Sequence, residues 1–237
     1  MQRYFSLEKQ DDYFILDNRD LYHIKTVMRM KDGDLIEVVF EKKVYECCIQ
    51  NVKSNISILI KKELKNHPQN TPDINLVIPL LQENKLDLIL QKATEMGVSK
   101  IYICQMKHCM VKLEGNKKEN KINRWMRIIK EASEQSKRID IPKLEFLDEL
   151  KNASGLNGLK LVCSTKERQN NLKRVLTKNK NCDRINLVIG PEGGLSCDEE
   201  KFLIENDFIP ITLGSNILRV ESVPMFLLGA INYEYME

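Results

Sequence analysis

Two glycine-bearing turns near the carboxyl end hold the residues whose types and spacing could do chemistry. The first follows the apolar run 187–189 and reads Gly190-Pro191-Glu192-Gly193-Gly194. The second follows the run 209–213 and reads Gly214-Ser215-Asn216, then Ile217-Leu218-Arg219. Glycine lets a backbone approach a ligand closely and adopt positive φ. The amides and carbonyls of such loops can read a flat, polar molecule, so a cofactor is expected here. Arg219 and Glu221 interrupt an otherwise apolar stretch. Charged side chains seldom enter such a stretch without a partner or a task.

Both turns sit where an open α/β sheet offers a site, at strand ends that lead into helix starts. Ser196 precedes an acidic helix start at Asp198, Glu199 and Glu200. Upstream, strand signals at 76–80, 101–104 and 159–163 alternate with helical ones. Residues 85–96 place Leu86, Ile89, Leu90 and Ala93 at helical spacing, with Gly97 as the cap. A helix beginning near Trp125 carries Arg124, Arg127, Glu134 and Arg138 and stops before Ile141-Pro142. Residues 172–176 form the apolar side of a further helix. The last helix follows Pro224 and is apolar over a wide face, which argues for burial under the sheet or against a second subunit. A largely parallel sheet with crossover helices is expected. Residues 1–68 read differently, as short β runs at 13–16, 35–40, 44–49 and 56–60 around a short helix at 23–30. The polar, proline-containing stretch at 65–72 marks a boundary. The expected division is 1–68, a linker at 69–73, and 74–237. The glycines follow late strands and lack the GxGxxG and GxxxxGK patterns, which argues against a dinucleotide dehydrogenase and a P-loop NTPase.

The chain has 237 residues, 42% of them apolar and 30% charged, as a globular protein should. It has no apolar run of membrane-spanning length, and its start lacks the apolar core of a secretory signal. Seven cysteines without a CxxC pair fit a reducing compartment, and a cytoplasmic protein is expected. Three histidines give little for a metal site, and none is expected. The net charge of +3 hides an uneven distribution. Residues 100–143 hold 12 basic and 5 acidic side chains, whereas 144–237 hold 11 and 14. A basic middle suggests a face turned toward a polyanion.

Taken in order, these blocks resemble the bacterial 16S ribosomal RNA uridine N3-methyltransferases of the knotted SPOUT superfamily. The resemblance rests on Tyr4-Phe5, residues 23–30, Gln91-Lys92-Ala93-Thr94-Glu95-Met96-Gly97-Val98, and Trp125. It continues through Glu134-Gln135-Ser136-Lys137-Arg138 with Ile141-Pro142, then Gly190-Pro191-Glu192-Gly193-Gly194-Leu195-Ser196. It ends on Leu213-Gly214, Ile217-Leu218-Arg219 and Glu221. It implies a small PUA-like RNA-binding β-barrel followed by an α/β domain threaded into a trefoil knot. It also implies S-adenosylmethionine among the knot loops, a homodimer, and 16S ribosomal RNA or the small subunit as partner, with neither membrane nor DNA. The chain departs from the family at Lys107-His108-Cys109-Met110, and at Val220 and Val223-Pro224, where smaller or hydroxyl-bearing residues are usual.

Methyl transfer needs alignment above all. Uracil N3 must also lose a proton, and the resulting charge spreads to O2 and O4. Arg219, which burial in the cofactor loop would keep charged and oriented, is the expected group for stabilising that charge, unless Arg219 is an ion-pair partner of Glu221. Arg138 is a second candidate, and Glu95 and Glu221 are candidates for the proton. Thr165, Gly190, Pro191, Glu192, Gly193, Gly194, Leu213, Gly214, Ile217 and Leu218 are expected to hold the cofactor. A side chain added at Gly193 is expected to block it sterically. Arg3, Arg29, His108, Lys112, Arg124 and Arg127 are the expected RNA contacts. A ribose 2′-hydroxyl methyltransferase and a non-catalytic RNA-binding assembly protein are the alternatives.

Overall fold

A computed structural model describes residues 1–52, 55–65, 71–113 and 117–236. Most of the stretch between the two halves (66–70) and part of the lysine-rich segment (114–116) lie outside the described residues. The chain divides into two compact units. The first comprises Met1–Gln69 with Ser133–Asp140, the second Asn70–Ala132 with Ile141–Glu237.

The first unit is built on six strands: β1 (Arg3–Phe5), β2 (Glu8–Gln10), β3 (Tyr13–Ile15), β4 (Leu35–Phe40), β5 (Lys43–Gln50) and β6 (Ser57–Leu64). They pair in the order β1-β4-β5-β6-β3-β2. Alternation puts Ile36 and Val38 of β4 in the core with Cys47, Ile49 and Ile58. Helix α1 (Asn18–Tyr22) is capped by the Asp17 carboxylate and runs into a π-helical turn, His23–Val27. The helix thus begins earlier than the apolar pattern indicates, because Asp17, a strong N-cap residue, sets its start. Arg29 follows at φ 52°.

Glu37, between the two core residues of β4, accepts from Arg3 Nε at 2.8 Å and pairs with Lys137 at 3.1 Å. Arg3 also donates to the carbonyls of Lys137 and Arg138. Burial works against the Glu37 carboxylate. The bonds from Lys137 and Arg3 outweigh it and hold the carboxyl below the usual range. Arg3 is therefore a structural cation, 9% exposed, and not the RNA contact expected of it. Arg3→Met is expected to destabilise the protein by about 3 kcal/mol, the low end of the range for a broken buried pair because Lys137 still faces Glu37. Urea unfolding measures this.

The second unit carries β7 (Asp73–Pro79), β8 (Lys100–Cys104), β9 (Lys143–Leu147), β10 (Leu159–Cys163), β11 (Arg184–Val188) and β12 (Ile209–Ile211). All are parallel, in the order β12-β10-β11-β7-β8-β9. Both faces are covered. Ile74, Leu76 and Ile78 of β7 pack with residues of α2 (Glu83–Glu95), α3 (Lys117–Gln135), α4 (Leu172–Lys178) and α6 (Ser222–Glu234). Val77, Val162 and Val188 pack with Leu203 of α5 (Cys197–Glu205) and with Leu150 and Ala153 of a 3-10 turn, Leu150–Gly155. Two polar side chains sit inside this apolar sheet. Asn75 of β7 donates to Asn186, its register partner on β11, at 2.8 Å. Asn186 in turn donates to the Asn157 carbonyl at 2.8 Å.

Two expectations are corrected. Residues 117–121 are helical, since α3 starts at Lys117 and not near Trp125. Its first turns carry solvent-facing polar residues that show no apolar period. A strand, β9, follows Pro142 and forms the sheet edge beside β8. No helix among the described residues is long and apolar enough to cross a membrane.

Candidate active site

The carboxyl ends of three adjacent strands, β12, β10 and β11, open into one cavity of about 1010 Å³. Its walls are Ser164–Arg168 after β10, Ile189–Leu195 after β11 and Ile211–Glu221 around and after β12, with Lys85 from α2. This is the crevice position that binds ligands in open α/β sheets. The volume reaches the top of the range for single-ligand pockets, enough for a cofactor with a reacting group.

Local chemistry fixes each wall. The Gly190–Gly194 turn closes with Gly194 N–H donating to the Pro191 carbonyl at 2.8 Å. It ends in a capping box, in which Ser196 accepts from Glu199 N–H at 3.3 Å and Glu199 accepts from Ser196 N–H at 2.9 Å. Lys85 reaches across from α2 to Glu192 at 2.9 Å. That hydrogen bond raises the Lys85 ammonium above its ordinary value, so it stays charged. Across the cavity, Glu200 accepts from Ser164 and pairs with Lys166 at 2.6 Å. Gly214 sits at φ +125° with open space where a Cβ would go, a conformation that other residues rarely adopt.

Gly190 is required by its own loop. A Cβ there would lie 2.9 Å from the Leu195 amide nitrogen, and that backbone must then move. Gly190→Ala is expected to cost ~1–3 kcal/mol as overpacking. That loss lowers the melting temperature by roughly 2–4 °C per kcal/mol, readable by thermal denaturation. Gly193 lines the cavity, and a Cβ there would also meet His108 Cβ at 3.2 Å. His108 Nδ1–H in turn donates to the Gly194 carbonyl at 3.0 Å. His108 thus braces the glycine turn from outside.

All ten residues expected to hold a cofactor line the cavity, as do Arg219 and Glu221. Glu95 does not: it pairs with Lys92 one turn back at 2.8 Å. Arg138 belongs to the first unit, where Asp140 holds its guanidinium at 2.9 Å. Neither supports its expected role. Arg124 pairs with Glu83 and Asp87 and ties α3 to α2, which fits poorly with a phosphate contact. Arg127 is exposed beside Glu131, and Arg29 and Lys112 are exposed. Lys85, not anticipated, left no sequence signal because its partner lies 107 residues away.

Arg219 and Glu221 do not pair. Among the described residues Arg219 makes no ion pair and no side-chain hydrogen bond, and it is exposed rather than buried. Its carbonyl accepts from Ser222 and Val223 N–H, so the backbone is fixed and the guanidinium left free. Glu221 precedes α6 without capping it, and its Oε2 is buried with no hydrogen-bond partner among the described residues. Between them, Val220 is 6% exposed and belongs to the core. The aliphatic departure from the family therefore has apolar surroundings.

The first unit matches an RNA methyltransferase PUA domain over residues 16–63, and the second an RNA methyltransferase domain over residues 67–232. Together they define an RNA methyltransferase with a PUA-like domain ahead of its α/β domain. The ribosomal RNA small subunit methyltransferase E of Bacillus subtilis is 31% identical over 99% of this chain and 97% of its own. That of Mesomycoplasma hyopneumoniae is 33% identical over 96% and 97%. The chain belongs to the ribosomal RNA small subunit methyltransferase E family. The fold is shared with the Neisseria gonorrhoeae enzyme bound to S-adenosyl methionine, at 24% identity, TM-score 0.89, and 99% and 98% coverage. It is also shared with a Legionella pneumophila methyltransferase in complex with the same cofactor, at 24% identity, TM-score 0.89, and 98% and 97% coverage.

Proposed function

We propose that this protein transfers a methyl group from S-adenosylmethionine to N3 of a uracil in small-subunit ribosomal RNA. One observation carries the choice of atom. Two residues apart on one cavity wall stand a guanidinium and a buried carboxylate oxygen that have no hydrogen-bond partner among the described residues. A buried acceptor left unpaired is costly, so a donor is expected to arrive with the ligand. The imide edge of uracil presents an N–H between two carbonyl oxygens. Glu221 Oε2 suits the N–H, and Arg219 suits an adjacent oxygen. Cytosine would turn a lone pair toward the carboxylate instead.

The family and the two ribosomal RNA methyltransferase relatives support the ribosomal substrate, and the two cofactor-bound neighbours support the methyl donor. The cavity fits that donor by its open space at Gly214 and its backbone-rich walls. Residues Gly190 to Gly194, with Leu213, Gly214, Ile217, Leu218 and Thr165, would hold it. When bound, it supplies an electrophilic methyl on a sulfonium. Glu221 accepts the N3 proton as the base attacks. Arg219 stabilises the charge delocalised onto the uracil oxygens. The exposed Arg29 and Lys112 suit phosphate contacts, and Arg127 does so beside its Glu131 partner.

The finer architecture follows the same reading. The domains divide at 69–73, and the loops after β11 and β12 belong to a SPOUT trefoil knot. Two copies pair across α6, where Phe226 and Tyr233 are exposed beside its buried face. The enzyme works on ribosomal particles in the cytoplasm. Labelled S-adenosylmethionine with small subunits from cells lacking the modification tests the proposal. Label on uracil N3 is the expected product. Label on a ribose hydroxyl, or none, would overturn it.

A further inference from the structure

Residues 166–184 hold 7 basic and 2 acidic side chains, and most of the unneutralised ones lie on α4. Elsewhere in the second unit, carboxylates neutralise Lys85, Lys92, Lys100, Arg124, Lys166 and Arg184. Lys173, Arg174 and Lys178 are exposed and, among the described residues, form no side-chain hydrogen bond or ion pair. Leu172, Val175 and Leu176 bury the opposite face.

The arrangement opposes helix stability. Lys173 and Arg174 occupy the first turn, which holds no acidic residue, although the positive end of the helix dipole favours acids there. Arg174 and Lys178 are four apart, a spacing at which like charges repel. A solvated surface helix has no reason to collect cations at this end.

The location supplies a reason. Thr212 N–H donates to the Asn170 carbonyl at 2.8 Å, and Asn171 bridges to Thr212. The start of α4 is thereby pinned to the cavity wall. Arg168, just upstream, lines the cavity, with its guanidinium on the Thr165 and Glu167 carbonyls. From Arg168 at the cavity wall the chain leads within five residues into the α4 cations.

We infer that the exposed face of α4 binds the phosphates of the RNA strand that delivers its base to the cavity. This rests on RNA being the substrate. The test is a Lys173→Gln/Arg174→Gln/Lys178→Gln variant of the full chain. Its binding to protein-free small-subunit ribosomal RNA is measured over a salt series, alongside cofactor titration and thermal melting. Three lost phosphate contacts should reduce the slope of log affinity against log salt by about 2. Cofactor affinity should be unchanged, and the melting temperature equal or higher. An unchanged slope overturns the inference alone. A loss confined to intact subunits also overturns it, because the face would then meet ribosomal protein. If the unaltered protein binds neither protein-free RNA nor intact small subunits, the proposed function falls together with this one.

Discussion

Replacing Arg219 with alanine is expected to slow methylation of small ribosomal subunits by about 100- to 1,000-fold, the effect of deleting one donor aimed at developing charge. Cofactor affinity should not change, because the cavity offers that ligand backbone from two loops, while among the described residues none engages the Arg219 guanidinium. The fold should not change either, since no ion pair is broken. Arg219→Lys keeps the charge and loses the planar fork, so it should recover only part of the rate. Single-turnover kinetics with saturating cofactor isolates the step. Wild-type rates in the alanine variant would remove Arg219 from the chemistry.

The second large effect is expected at Glu221. Glu221→Gln keeps the shape and removes the proton acceptor, and losing a positioned base costs about 100- to 10,000-fold. The variant should also melt at a higher temperature. In the native chain a carboxylate oxygen is buried with no hydrogen-bond partner among the described residues, which is unfavourable to folding. It does not cap α6, so no helix-end bond is lost with it. Lower activity with higher stability identifies a residue kept for its work. The variant's rate should rise with pH as uracil N3 ionises in solvent. A destabilised variant with normal turnover would make Glu221 structural.

The site was legible where local chemistry dictates geometry. Gly190, Gly214 and the Ser196–Glu199 box each act within a few residues, and their types announce it. The apolar runs of β4 and β10 were readable for the same reason. What escaped depends on distance. Arg3 reads as a surface cation until Glu37 and Lys137 close on it, and Arg124 until Glu83 and Asp87 do. Lys85 looked like an ordinary helix-start lysine. The start of α3 was hidden because its first turns have no core to face, and β1 and β2 because three residues give no period. The α4 cations vanished into an acidic average over the last 94 residues.

The buried amides of Asn75 and Asn186 bear on how the chain finds its strand alignment. Asn75 of β7 and Asn186 of β11 lie 111 residues apart in sequence, and contacts of such separation form late. Sliding β11 by one position would turn its whole side-chain set over and press an unsatisfied amide against aliphatic neighbours. The asparagine pair therefore acts as a proofreader of alignment. Exchanging both for leucine should leave a chain that still collapses but reaches its active form more slowly, through mispaired intermediates.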